Sequence, residues 1–112
     1  MNLRSAEFDP PPLDIETTTS KNALWVHLRG EADLGNHERL HAGLSHVRLE
    51  GAKAVHLVLT DLTFCDLCAL RHLVAFAARV QAAGRELTAH GACPSLKKIA
   101  GLLNVSQQLH FV

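Results

Sequence analysis

The sequence predicts a single α/β domain with a mixed sheet of four to five strands and three to four helices. An apolar, β-branched run at residues 55–59 is typical of a central strand buried on both faces. Helical spacing follows that run, and two stretches of alternating apolar and polar residues precede it. The length of 112 residues suits one domain.

Composition narrows the function classes. Eleven basic and eleven acidic residues give a formal net charge of zero, so the basic excess of a nucleic-acid-binding protein is missing. No apolar run is long enough to span a bilayer, and the first residues lack a signal-peptide pattern. Three cysteines do not form a disulfide framework. We therefore predict a soluble, cytoplasmic protein that binds neither nucleic acid nor a membrane.

The chain opens with a predicted flexible tail at residues 1–12, which ends in three prolines, and the domain occupies residues 13–112. Residues 13–18 and 24–29 alternate like surface strands, and Ser20-Lys21-Asn22 is turn chemistry, so a hairpin is expected. Gly35-Asn36 offers the N-cap of a first helix. Its inward residues are Leu40, Leu44 and Val47.

The central strand is predicted to break at Thr60-Asp61, and a second helix to begin at Asp66, whose carboxylate can cap it. Gly84 suits the end of that helix. Residues 86–90 alternate as a fourth strand. Pro94-Ser95 opens a third helix with four inward residues, Leu96, Ile99, Ala100 and Leu103. Residues 109–112 form a short final strand or extended segment.

Gly30-Glu31-Ala32-Asp33 forms a turn after a strand, and residues 59–70 form a strand that is followed by Asp66-Leu67-Cys68-Ala69-Leu70. These segments are similar to the Gly-Glu-Leu-Asp turn and to the strand followed by Asp-Ser-Ser/Thr-Gly-Leu of one family, and the sequence thus resembles the STAS domain of anti-sigma-factor antagonists. Gly84 and the C-terminal amphipathic helix also fit. The resemblance covers roughly residues 13–112. It implies a non-catalytic module without a cofactor, which binds an anti-sigma factor that is also a serine kinase of the histidine-kinase-like ATPase type.

The sequence departs from the family at its phosphorylation switch. The resemblance implies that the kinase modifies the serine directly after the motif aspartate, Asp66, and here that position is Leu67. Cys68 and Ala69 replace the next hydroxyl residue and the glycine, and Val58 replaces an aspartate of the central strand. Leucine has no hydroxyl to phosphorylate, so we expect an antagonist that binds its partner without a phosphoserine switch.

The predicted docking surface centres on the turn at Asp33 and on residues 60–71, with an exposed Leu67 adding apolar contact area. Whether the domain forms a homodimer is left open by the sequence. The candidate partner-binding residues are Asp33, Thr60, Asp61, Thr63, Asp66, Leu67, Cys68, Ala69 and Arg71.

The alternative function is that of a thiol redox protein or a redox-sensing switch that uses Cys65 and Cys68. Cys65 and Cys68 form a Cys-x-x-Cys pair after a strand and at a helix start, which is the thioredoxin arrangement. The order of strands and helices is not that of a thioredoxin, and Asp66 between the cysteines disfavours a thiolate. The competing interpretation is that Cys65 is a small buried apolar residue and Cys68 fills a slot for a small side chain. The redox role of Cys93 stays open.

Three histidines of the predicted first helix are candidate metal ligands. His37 and His41 have the i, i+4 spacing that can hold a metal, and His46 lies nearby. No cysteine or carboxylate completes the site at an obvious spacing, although Glu38 is near. We therefore predict a solvated helix face and no metal. No phosphate-binding loop or nucleophile elbow is present either, so no enzyme is predicted.

Overall fold

A computed structural model describes residues 13–112, and the predicted tail at residues 1–12 lies outside this range. Four strands and four helices follow one another along the described chain. Their order is β1 (Asp14–Ser20), β2 (Ala23–Ala32), α1 (His37–Ser45), β3 (Ala54–Cys65), α2 (Leu67–Ala82), β4 (Glu86–His90), α3 (Pro94–Leu102) and α4 (Ser106–Leu109). The predicted α/β class and its numbers of strands and helices are confirmed.

The sheet is mixed, with the spatial order β1-β2-β3-β4. The hairpin β1–β2 is antiparallel, whereas β2–β3 and β3–β4 are parallel. Lys21 and Asn22 join the hairpin with φ values of 50° and 69°, the positive values that a two-residue turn between twisted strands requires. The predicted hairpin is therefore confirmed.

Only one face of the sheet is fully buried. On β3, Val55, Leu57 and Leu59 are buried, whereas the residues between them are half-buried. The prediction of a central strand buried on both faces was wrong, because the second face carries polar and aromatic side chains. Trp25 of β2 stacks on His56 of β3 there, with ring centroids 4.1 Å apart.

Strand β3 runs on through the segment that was predicted to be a loop. Residues Arg29 to Ala32 of β2 pair with Asp61 to Cys65, and two register shifts interrupt the ladder. At each shift β3 contributes one extra residue, which is the pattern of a β-bulge. Beyond Leu59, the buried Leu62 and the half-buried Cys65 consequently follow at every third position, and this spacing hides the strand from a search for simple alternation.

Helix α2 packs against the buried face of the sheet, with Leu70, Leu73 and Val80 buried. The predicted glycine cap is confirmed: Gly84 has a φ of 78°, and the N–H of Arg85 donates to the carbonyl of Val80. Within residues 13–112, no helix combines the length and apolar character needed to cross a bilayer.

The C-terminal part departs from the prediction at Leu103. Leu96 and Ala100 of α3 are buried and Ile99 is half-buried, as predicted, but α3 ends at Leu102 and Leu103 is 48% exposed. After the short α4, the chain is extended and forms a single parallel bridge between Phe111 and Ala89. The predicted final segment is thus present as an extended end.

Candidate functional site

The carboxylate of Asp66 joins the two places where a parallel strand is followed by a helix. Its Oδ1 accepts a hydrogen bond from the N–H of Ala69 at 2.9 Å, which makes Asp66 the N-cap of α2 as predicted. Its Oδ2 accepts from the N–H of Leu34, also at 2.9 Å, in the loop between β2 and α1. The N–H of Asp66 donates to the carbonyl of Ala32. Asp66 therefore fixes the position of both loops.

Asp33 and Asn36 order the loop between β2 and α1 from within. The Oδ1 of Asp33 accepts from the N–H of Gly35, and the Oδ1 of Asn36 accepts from the N–H of Asp33, both at 2.9 Å. The Nδ2 of Asn36 donates to the carbonyl of Glu31. Asn36 is at the predicted N-cap position of α1, but its side chain makes no cap bond to that helix. Instead it closes the loop.

The carboxylates of Asp33 and Asp66 accept hydrogen bonds from the backbone, and the large side chains exposed beside them are apolar. Leu34 is 69% exposed, Leu67 51% and Phe64 49%. We call Asp33, Leu34, Gly35, Asp66 and Leu67 the corner. The exposure of Leu67 was predicted from the sequence, whereas the exposure of Leu34 and Phe64 was not. The signal for Leu34 was an apolar residue inside a polar turn.

An apolar groove begins at the corner and follows the outer side of α2. One wall follows the helix and consists of Leu67, Arg71, Val74 and Ala78. Leu103, which follows α3, also lines the groove. The remaining lining residues are Leu70, Ala75 and Val105. The lining is largely apolar, with the Arg71 guanidinium as its charged group. Such a surface is typical of a protein docking site with an apolar centre and a charged residue beside it.

The remaining predicted residues are spread over different surroundings. Arg71 lines the groove, whereas Ala69 is fully buried. Thr63 is exposed and donates to the carbonyl of Gly30. Thr60 and Asp61 are exposed on β3, where Asp61 lies 3.9 Å from the Nε of Arg29. The structure thus brings Asp33, Asp66, Leu67 and Arg71 to one surface.

The cysteine pair has the wrong electrostatics for a thioredoxin-like site. Burial raises the pKa of the Cys65 thiol to about 12, and the negative charge of Asp66 adds to the effect. A redox-active cysteine at a helix start needs a lowered pKa. Such lowering occurs instead at Cys93, where a hydrogen bond with Ser95 and the backbone N–H of Leu96 lower the pKa of the thiol.

The face of α1 that was predicted to be solvated contacts α2. The Nδ1 of His37 lies 3.2 Å from the Nε2 of His72, and the Sγ of Cys68 is beside both rings. His41, one turn after His37, has its ring centroid 5.2 Å from that of His72. Burial lowers the pKa of His72, and the charges of His41, His37 and Arg71 lower it further. The prediction was therefore wrong for His37.

A comparison with family models identifies this arrangement as a known domain type. The family model described as "Mlab, STAS domain" matches residues 15–111, which is nearly the whole described chain. No curated protein matches the chain in sequence.

Solved structures with the same fold come from bacteria and from a mammal. An anti-sigma factor antagonist from Mycobacterium paratuberculosis superposes with a TM-score of 0.77 at 14% identity, over 89% of this chain and 85% of that chain. The Bacillus cell fate determinant SpoIIAA in its phosphorylated form gives 0.66 at 15% identity, over 90% and 91%. Murine Slc26a9, an anion transporter, gives 0.70 at 12% identity over 84% of this chain and 16% of the transporter.

Proposed function

The chain belongs to the STAS domain family, and from this premise we propose that it is a non-catalytic, cytoplasmic protein-binding module that acts as an anti-sigma factor antagonist. The proposed partner is an anti-sigma factor of the histidine-kinase-like ATPase type. The similar structures from Mycobacterium paratuberculosis and of unphosphorylated SpoIIAA are both described as anti-sigma factor antagonists, which supports this choice over a transporter-associated role. The exposed Leu67 carries the proposal.

Leu67 is at the first position of α2, directly after its capping aspartate. In the STAS pattern described above, this position is the serine that the partner kinase modifies. A phosphate there would meet the free N–H groups of the helix start and add negative charge to the corner. Leucine cannot be phosphorylated, and its half-exposed side chain heads the apolar groove. The position thus favours binding that no kinase can switch off.

We propose that the docking surface comprises the corner and the apolar groove. A partner that covers Leu67 and Leu103 removes two exposed apolar side chains from water, and central residues of this kind dominate interface energies. Arg71 lies in the same groove and offers a charged contact to a carboxylate of the partner. Asp33 and Asp66 contribute by holding Leu34 and Leu67 in place.

The first experiment tests the surface. The tagged protein is used to capture its partner from a lysate of its own cells. We expect this partner to be an ATPase that also binds a sigma factor. With the purified partner, Leu67→Asp should weaken the affinity at least about fivefold, because a buried charge replaces an apolar contact at the interface centre. Val112→Asp is the matched control, since Val112 is exposed and lies outside the groove. Equal affinities of all three proteins would place the docking surface elsewhere.

The second experiment tests the missing switch with the same kinase and ATP. Wild-type protein should take up no phosphate, whereas Leu67→Ser should gain one at residue 67, because the variant restores a hydroxyl next to Asp66. Mass spectrometry locates the phosphate. Modification of Thr60 or Thr63 in the wild type would contradict a switchless antagonist, and failure of Leu67→Ser to react would contradict a kinase partner.

A further inference from the structure

Two pairs of metal-binding residue types face each other between α1 and α2. His37 and His41 are one turn apart on α1, and Cys68 and His72 are one turn apart on α2. Residues at i and i+4 lie on the same side of a helix, so each pair presents two side chains to the other helix. The two pairs therefore converge, and we call these four residues the histidine cluster.

The distances within the histidine cluster are close to those of a metal chelate. One ligand atom each from His37, Cys68 and His72 lies within 4.8 Å of the others. Two imidazole nitrogens bound tetrahedrally to Zn²⁺ are about 3.3 Å apart, given Zn–N bonds of about 2.0–2.1 Å. The Nδ1 of His37 and the Nε2 of His72 are separated by 3.2 Å. Without a metal, one ring N–H donates to the other ring nitrogen across this distance.

The thiol needs only a small movement to join the two nitrogens. A thiolate at about 2.3 Å from Zn²⁺ lies about 3.6 Å from a tetrahedral nitrogen ligand. The Sγ of Cys68 lies within 4.8 Å of the histidine ligand atoms, so it is at most about 1 Å too far away, and rotation of the half-buried Cys68 side chain can close such a gap. His41 is exposed and stands next to His72, so it can supply a fourth ligand.

From this geometry we propose that the histidine cluster binds one Zn²⁺ ion through His37, Cys68 and His72, with His41 or a water molecule in the fourth position. One thiolate and two or three neutral imidazoles form a donor set that suits this borderline-soft ion in tetrahedral geometry. On binding, the Cys68 thiol loses its proton to solvent, and both ring nitrogens turn their lone pairs to the metal. The proposal does not depend on the identity of the protein partner.

The bound ion would link α1 to α2 one residue away from the docking surface. Cys68 follows Leu67, and His37 opens the helix that follows the loop of Leu34. A link between these helices would hold both sides of the corner together. The site would then be structural, and its occupancy would raise the free energy of unfolding, because Zn²⁺ binds the folded arrangement in preference to the unfolded chain.

The test uses the whole protein with Co²⁺ as a spectroscopic probe and Zn²⁺ as its competitor. One Co²⁺ per chain should give visible absorption typical of a tetrahedral site, together with a thiolate-to-cobalt charge-transfer band. Zn²⁺ should remove both signals. Cys68→Ser should abolish the charge-transfer band and weaken Zn²⁺ binding more than about tenfold, since loss of even an outer-sphere partner costs roughly 10- to 100-fold.

Two matched controls address unfolding and nonspecific binding. Cys93→Ser removes a half-buried thiol outside the histidine cluster, and His90→Ala removes one member of the other histidine pair, His56–His90. Both should bind Co²⁺ like the wild type, and circular dichroism should show that Cys68→Ser is folded. Octahedral Co²⁺ spectra, or a charge-transfer band that survives in Cys68→Ser and disappears in Cys93→Ser, would overturn the proposal.

Discussion

Neighbouring residues at the start of α2 face different surroundings. On the outer side, Leu67 and Arg71 line an apolar groove open to solvent. On the side toward α1, Cys68 and His72 meet His37, with ring nitrogens 3.2 Å apart. One step along a helix turns a side chain by about 100°, so adjacent positions can serve separate purposes. At the two positions where the STAS pattern has hydroxyl residues, this chain therefore carries an exposed leucine and a cysteine that faces the neighbouring helix.

The largest expected effect is a difference in the reaction rates of the three cysteine thiols, two of which lie at this helix start. Cys65 has a pKa of about 12 against an ordinary 9.0, which corresponds to roughly a thousandfold less thiolate at neutral pH. Iodoacetamide should therefore modify Cys65 last and Cys93 first, because the pKa of Cys93 is lowered. Zn²⁺ should protect Cys68 alone. The rates are followed by mass spectrometry of digested samples.

Unfolded protein provides the control for thiol reactivity. In denaturant the local environments disappear, and the three cysteines should react at similar rates. Rapid modification of Cys65 in the folded protein would revive the thiol redox alternative.

Substitution of Asp66 should weaken both sides of α2 at once, because its carboxylate supports both of them. Asp66→Ala removes the cap bond to Ala69 and the bond to Leu34, each worth about 1 kcal/mol, so the free energy of unfolding should fall by about 2 kcal/mol. Partner affinity and Zn²⁺ affinity should weaken together. Urea denaturation measures the free energy of unfolding, and titrations measure the affinities for the partner and for Zn²⁺.

Asp66→Asn is the graded control. Asparagine keeps one side-chain oxygen that can cap α2 but places an amide group where the second oxygen accepts from Leu34. Its loss of stability should be about half that of Asp66→Ala. Equal losses in the two variants would show that charge, rather than hydrogen-bond geometry, accounts for the stabilisation.

A smaller effect is expected when each variant is measured in the binding assay of the other site. This measurement separates the docking surface from the histidine cluster. Cys68→Ser should leave partner affinity within about twofold of the wild type, and Leu67→Asp should leave Zn²⁺ affinity within the same limit, because substitutions outside a site usually change free energies by less than about 0.5 kcal/mol. Calorimetric titrations measure both. A large change in both affinities for either variant would show that the sites are coupled through α2.

The sequence predicted the features that depend on neighbouring residues. The cap at Asp66, the turn at Lys21-Asn22 and the glycine after α2 each follow from local backbone chemistry, and all three are confirmed. Leu103 was misassigned because the helical spacing of apolar residues continues past the end of the helix, where Asn104 has a φ of 60°. Spacing alone does not show where a helix stops.

Features that depend on pairing of distant segments were missed. The bulged part of β3 looked like a loop because Thr60-Asp61 interrupts the apolar pattern, and only its ladder with β2 shows that the backbone remains extended. His37 could not be connected to His72 by spacing, since 35 positions separate them. The candidate surface was anticipated at Leu67, but its continuation to Leu103 required the packing of α2 beside the end of α3.

The smallest expected effect separates the histidine cluster from the second histidine pair, on the open face of the sheet. The Nδ1 of His56 lies 2.8 Å from the Nε2 of His90, and Trp25 stacks on His56 in place of a third metal ligand. Burial, together with the charge of His90, lowers the pKa of His56. Because the folded protein binds this proton less readily than the unfolded chain, the contribution of His56 to stability is complete above about pH 6.5, the pKa in the unfolded chain, and is lost as the pH falls further through the lowered pKa of the folded protein. Denaturation between pH 7.5 and 5.5 should therefore show a steeper decline for the wild type than for His56→Gln, with Zn²⁺ absent from both samples. Parallel declines would mean that the proton uptake occurs elsewhere, whereas a difference that appears only with Zn²⁺ present would make the second pair a metal site as well.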